Sequence, residues 1–250
     1  MKDKVSGRLA LNNVSHGYGA TAVLKNLNLV ANPGEVVVLV GPSGCGKTTI
    51  LNLLSGHIEP SSGSIQREGI IRTVYQQDGL FPWLTISENI SMGLRMVPDT
   101  QQREQELREL LDLIHLQDFA NHYPHQLSGG MRQRVELARI LAGDSDILLM
   151  DEPFSALDYQ ARLRLRHELV RLLEKRPRTV VFVTHDIEEA AQLGDRVLVL
   201  SSRPATICRE LSIATHKPRG LTDQAVIGAM DEIFKELGLN IQNEKELNQI

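Results

Sequence analysis

Residues 41–49, GPSGCGKTT, place three glycines, a lysine and two threonines directly behind the apolar run VVVLV. Glycine is costly to order, so a loop this rich in it serves a backbone that must approach something closely. The stretch fits the spacing G-x-x-x-x-G-K-[ST], in which successive backbone N–H groups curl into a nest around phosphate oxygens. The helical stretch behind it, KTTILNLLSG, adds the positive end of its dipole. Lys47 is then placed to reach terminal phosphates, and the Thr48 hydroxyl to ligate Mg2+. A flexible turn would explain Gly41, Gly44 and Gly46, but not Lys47 followed by Thr48 and Thr49. Cys45 reads as a small residue tolerated inside the loop, beside Pro42 and Ser43.

In ILLMDEP, residues 147–153, four apolar residues run into Asp151 and Glu152. That is the C-terminal edge of an expected strand, where α/β proteins place ligands. Asp151 suits the Mg2+ shell. Glu152 is suited to take a proton from an attacking water, a contribution of roughly 10²–10⁴ in rate for a positioned general base. An acid pair capping a helix before Pro153 is the structural alternative. In QLSGGMRQRVELARIL, Ser128, Gly129 and Gly130 open an evident helix, again suited to an anion. A serine N-cap with flexible glycines is the alternative there. One chain then carries two phosphate cradles.

The elements that must position these residues are legible in outline. Val36–Val40, 147–150, 180–183 and 197–200 are short, nearly unbroken apolar segments. Strands buried on both faces of a parallel sheet read this way. Between them Leu107, Leu110, Leu111 and Ile114, and then Leu165, Leu169, Leu172 and Leu173, recur at helical spacing. Val226, Met230, Ile233, Phe234 and Leu237 form a further stripe, and all three stripes are expected to face the core. Alternating strands and helices make the class α/β. RLALNNV and AVLKNLNLV, separated by HGYGAT, predict an antiparallel piece at the N-terminal end. Residues 85–142 are expected to be mainly helical, a subdomain inserted between core strands. The polar end QNEKELNQI is expected to fray.

Composition narrows the classes. The 250 residues are 42% hydrophobic, enough for one sizeable core or two modest ones. A net charge of −4 argues against a protein that coats nucleic acid. No apolar run approaches the roughly 20 residues that span a bilayer. The N-terminal stretch has no apolar h-region, so no signal peptide is expected. Cys45 and Cys208 are the only cysteines and form no CxxC pair, which fits a reducing cytosol.

LSGGM resembles the signature motif of the ATPase subunits of ABC transporters, and residues 8–210 follow that family's order of motifs. The resemblance implies a P-loop NTPase core with a parallel sheet, an N-terminal antiparallel β subdomain, the inserted helical subdomain 85–142 and a C-terminal extension, 211–250. It implies that residues 41–49 are the Walker A loop, Asp151 the Walker B aspartate and Glu152 the catalytic glutamate. Gln76, in VYQQDGLFPW, resembles the glutamine that contacts Mg2+ and the attacking water, with the adjacent Gln77 as the alternative register. Asp158, in SALD, resembles the loop that crosses the dimer interface. His185, in VTHD, resembles the switch histidine on the γ-phosphate. Tyr18, in HGYG, resembles the aromatic that stacks on adenine. Met131 stands where many members have glutamine, and the stretch 64–76 is short, suggesting a trimmed antiparallel hairpin.

In this family two such subunits sandwich two ATPs, each held by Walker A of one chain and the signature of the other. The resemblance therefore implies ATP with Mg2+, a second ATPase subunit, a separate transmembrane permease, a solute-binding protein, and a place on the cytoplasmic face of the plasma membrane. LFPW (80–83) and DRVLVLSSRP (195–204) resemble importers of nitrate, sulfonate, taurine or bicarbonate. Phe81 and Trp83 would suit an anchor for the permease, or the core of the helical subdomain. An ABC ATPase serving another solute, a non-transport ABC ATPase and a small-molecule kinase are the alternatives at this point. The last leaves LSGGM and DEP unexplained.

Overall fold

The computed structural model describes residues 7–74 and 79–239. The strands are β1 (Arg8–Tyr18), β2 (Thr21–Ala31), β3 (Val36–Val40), β4 (Ser62–Glu68), β5 (Ile71–Val74), β6 (Ile147–Asp151), β7 (Thr179–Val183), β8 (Arg196–Leu200) and β9 (Ile207–Ser212). The helices are α1 (Lys47–Ser55), α2 (Ile86–Ser91), α3 (Thr100–Leu113), α4 (Gly129–Leu141), α5 (Tyr159–Lys175), α6 (Ile187–Leu193) and α7 (Gln224–Glu236). The chain divides into two units. Of the described residues, the first holds Leu9–Ala31, Glu35–Gln66 and 182–239; the second holds Gly7, Arg8, Asn32–Gly34, 67–74 and 79–181.

In the first unit β1 and β2 pair antiparallel, from Leu9 opposite Ala31 to Tyr18 opposite Thr21. Leu9, Leu11, Val14, Leu24, Leu27 and Leu29 are buried. The ladder slips at several points, and Asn13 and Asn26 adopt left-handed backbone (φ 50° and 48°), which asparagine tolerates better than most residues. Side chains replace the missing ladder bonds: the Asn13 amide donates to Asn28 Oδ1 at 2.8 Å, and the Asn26 amide to Ser15 Oγ at 2.9 Å. All five residues of β3 are buried, as a strand covered on both faces requires. It pairs in parallel with β8, which pairs antiparallel with β9. Helix α7 buries Val226 and Ile233 fully and Met230, Phe234 and Leu237 in part, the stripe read from sequence.

In the second unit β5 pairs in parallel with β6, which neighbours β7. Helix α4 buries Val135, Leu137, Ala138 and Leu141. Arg178 ties the end of α4 to the entry of β7 by donating to the carbonyls of Leu141 (3.2 Å) and Gly143 (2.8 Å) and to Ser145 Oγ (3.2 Å). Burial among these groups lowers its pKa to about 10.

Three expectations change. The hairpin expected over 64–76 is absent from its described part, 64–74: β4 neighbours β1, whereas β5 lies beside β6. Gly69 marks the break, at φ 113°, with a Cβ there only 2.7 Å from Asp146 Cβ. The HGYGAT turn is tighter than expected, because β1 and β2 run on to Tyr18 and Thr21. Strand β9 carries no apolar run, being largely exposed, and was not anticipated. The fraying end QNEKELNQI lies outside the described residues.

Candidate functional site

The first unit carries the glycine loop between β3 and α1. Gly44 and Gly46 have φ of 70° and 122°, backbone that side chains rarely adopt. Gly46 also has no room for one: its Cβ would stand 2.8 Å from Val23 Cγ1. Gly41 is confined in the same way by Leu200 on β8, at 3.0 Å, and by Cys45 Sγ, at 3.2 Å. Cys45 is thus a small buried residue packed inside the loop. The loop curls over Lys47, whose Nζ donates to the carbonyls of Gly41 (2.8 Å) and Pro42 (3.0 Å). An ammonium has three donors, so one N–H remains to meet an anion. Helix α1 has no side-chain N-cap and no acidic residue in its first turn. Its unpaired amides and dipole end therefore suit a phosphate. Pro42, Ser43, Gly44 and Thr48 are exposed, while Thr49 is buried.

Tyr18 closes β1 and is 53% exposed, its ring edge-on to His16 at 4.9 Å between centroids. His185 is exposed just beyond β7. Its neighbours are pinned: the Thr184 hydroxyl donates to Glu189 Oε2 (2.6 Å) and accepts from the Asp186 amide (2.9 Å). Asp186 in turn caps α6 through the Glu189 amide.

The second unit carries the acidic pair and the serine–glycine cradle. Asp151 is buried as the last residue of β6. Glu152 follows in left-handed backbone, φ 47°, and is half-buried. Its carbonyl accepts from Ser155 N (3.1 Å), Ser155 Oγ (3.0 Å) and Gln133 Nε2 (3.2 Å). Ser128 caps α4, its Oγ accepting from the Met131 amide at 3.3 Å, with Gly129 and Gly130 in the first turn. Asp158 is exposed and caps α5, accepting from the Ala161 amide at 2.9 Å. Gln76 lies outside the described residues.

Trp83 is 70% exposed, so it is not a core residue of the helical region. Its ring lies 5.6 Å from that of Phe81, which sits under the Arg139 guanidinium at 5.5 Å. Buried Asn89 holds the loop beneath them, exchanging bonds with the backbone of Phe81 and donating to the carbonyls of Leu84 and Thr85. Sequence reading passed over Asn89, Gln133, Thr184 and Glu189. Each is a single polar residue in a run whose only signal is an apolar or charged pattern, and only the fold shows what it touches.

A family model described as ABC transporter matches residues 24–155, from β2 through both phosphate cradles and the acidic pair. The chain belongs to the ABC transporter family. It is an ATP-hydrolysing cassette of that family. An aliphatic sulfonates import ATP-binding protein, SsuB 2 of Pseudomonas syringae pv. tomato, is 41% identical over 221 residues, covering 88% of this cassette and 94% of the relative. A nitrate import ATP-binding protein, NrtD of Synechocystis sp., is 43% identical over 204 residues, covering 78% and 77%. A solved dimeric structure of the ATP-binding cassette MJ0796, bound to ADP and Pi, superposes with a TM-score of 0.73 at 34% identity, covering 83% of this cassette and all of that chain. Among the described residues, no helix of the cassette is long and apolar enough to cross a membrane.

Proposed function

We propose that the cassette powers import of a small anionic solute of the nitrate, sulfonate, taurine or bicarbonate type through a separate membrane permease. The observation that carries this reading is the near full-length similarity to a sulfonate import subunit, joined by that to a nitrate one. Taurine is itself a sulfonate. The cassette domain is residues 8–210, with 85–142 as its inserted helical subdomain and 211–250 as an extension. It works on the cytoplasmic face of the membrane, with a second ATPase subunit, the permease and a solute-binding protein.

Within it, the loop of Gly41, Pro42, Ser43, Gly44, Cys45, Gly46, Lys47, Thr48 and Thr49 binds the ATP phosphates, and Tyr18 stacks on adenine. Glu152 takes the proton of the attacking water, His185 contacts the γ-phosphate, and Gln76 orients the water. Ser128, Gly129 and Gly130 bind the nucleotide held by the other subunit, and Asp158 lies at that interface. Thr48 and Asp151, with Gln76, would hold Mg2+: these are oxygen donors only, and the exposed Thr48 hydroxyl and the buried Asp151 carboxylate suit a hard cation. Bound Mg2+ offsets negative charge on the phosphate oxygens.

The test is co-purification and uptake. The tagged cassette should bring down a polytopic membrane protein from its native membranes. Proteoliposomes of that complex with its binding protein should then accumulate labelled taurine, an alkanesulfonate or nitrate only with MgATP. Lys47→Ala should abolish uptake and weaken nucleotide binding by roughly tenfold to a hundredfold, the loss of one charge-assisted bond. Uptake of none of these anions by an ATP-hydrolysing complex would overturn the solute class.

A further inference from the structure

Gln133 lies just beyond the first turn of α4, the helix that Ser128 caps. Its side-chain amide spans the turn behind the acidic pair from both ends. Nε2 donates to the Glu152 carbonyl at 3.2 Å, and Oε1 accepts from the Ala156 amide at 3.0 Å. The helix is seated against the same turn at Gly130, where a Cβ would lie 3.1 Å from the Ala156 carbonyl and 3.3 Å from Leu157 Cδ2. A methyl group there would need the turn to give by a few tenths of an ångström. Glu152 itself holds a left-handed backbone, which a glutamate adopts only where its surroundings impose it. Ser155 binds the same carbonyl from inside the turn, whereas Gln133 does so from α4.

From this geometry we infer that Gln133 is a positioning residue that couples the two ATP sites of the cassette dimer. The inference rests on the proposed roles of Glu152 and of the Ser128 cradle. In that reading the Ser128 end of α4 touches the nucleotide of the partner's Walker A loop, while Glu152 serves the nucleotide of its own chain. Residues 128–133 form little more than one helical turn. Filling the cradle with phosphate shifts or fixes that turn, and Gln133 passes the change to the peptide that aims the Glu152 carboxylate. One site is then set for hydrolysis by occupancy of the other. The chemistry requires an amide: a carboxylate could accept from Ala156 but not donate to Glu152, and a thioether of the same length offers only a weak acceptor and no donor.

The experiment compares wild type, Gln133→Met and Gln133→Glu as full-length cassettes, at concentrations where ATPase rate per chain no longer changes with dilution. Wild type should show a Hill coefficient for MgATP above 1. Both variants should lose tenfold or more in kcat, bind MgATP with unchanged affinity in titration, and show a Hill coefficient near 1. The split matters, because a merely structural glutamine would lower Tm without changing the Hill coefficient. Gln133→Glu keeps the bond from Ala156 and covers the case in which Gln133→Met fails to fold. A non-cooperative wild type overturns the inference, as do variants with wild-type kcat and cooperativity. Glu152→Gln is measured in parallel. If it hydrolyses ATP at the wild-type rate, the role of Glu152 is wrong and the inference falls with it; if it is inactive while the Gln133 variants are normal, only the coupling is wrong.

Discussion

The Thr184 hydroxyl donates to the Glu189 carboxylate at 2.6 Å in the interior, five residues on in sequence and within α6. Because the same hydroxyl accepts from the Asp186 amide, the peptide that follows His185 is held. A clamped backbone helps the exposed His185 keep its direction. Thr184→Val preserves shape and removes both bonds. Hydrogen bonds to a charged group are worth about 1.5–3 kcal/mol, so Tm should fall by several degrees. The ATPase rate should fall further than the loss of folded protein explains, with nucleotide affinity intact. Unchanged turnover in the folded variant would show that the clamp does not serve His185.

Gly46 should not tolerate even a methyl group. Its φ of 122° and the 2.8 Å approach to Val23 Cγ1 impose separate penalties. Gly46→Ala should therefore abolish binding of a fluorescent ATP analogue, with about 1–3 kcal/mol from backbone strain alone. Adding Val23→Ala removes the collision but not the strain, so it should restore binding only in part. Full restoration would mean that the collision alone mattered.

The contrast between Gly46 and Gln133 shows what was legible beforehand. The glycine loop, the acidic pair and the serine–glycine cradle each carry a local pattern, and β3 and β6 stand where their apolar runs predicted. Such signals survive because a strand buried on both faces must be apolar and a phosphate nest must be glycine-rich. Gln133, Asn89 and Thr184 act through partners distant in sequence or through a bent backbone, and their types are ordinary for their positions. Strand β9 escaped notice for a related reason: an exposed edge strand needs no apolar run. Within 64–74 the expected hairpin gives way at Gly69, where the chain changes sheets instead of folding back.

The exposed Trp83 beside Phe81 forms an aromatic pair of the kind that anchors protein interfaces. Asn89 and Arg139 hold the loop from below, the latter donating to the Gly79 carbonyl at 2.8 Å. Trp83→Ala should then leave Tm within about 1 °C, since a surface substitution changes little. In the complex with the permease it should release ATPase activity from transport or weaken co-purification. An unfolded variant would contradict the exposure on which the prediction rests, and normal coupled transport would remove Trp83 from the interface.

The trans arrangement of the two cradles can be tested by mixing two inactive chains. One carries Lys47→Ala. The other carries Ser128→Asp, which keeps an N-cap acceptor for the Met131 amide but faces phosphate with negative charge. In either homodimer every site contains one damaged half. In a mixed dimer one site collects both lesions, while the other joins an intact Walker A loop to an intact signature. Hydrolysis should therefore return on mixing, to about a quarter of the wild-type rate if chains pair at random and sites are independent. Coupling through Gln133 would pull that figure lower, because the intact site then works beside one that cannot fill. If both cradles served a single nucleotide within one chain, no mixture could contain an intact site. The measurement is ATPase rate against mixing ratio, with mixed dimers verified by pull-down through two different tags. A rate equal to the sum of the separate mutants, in samples where mixed dimers are present, would sink the trans model.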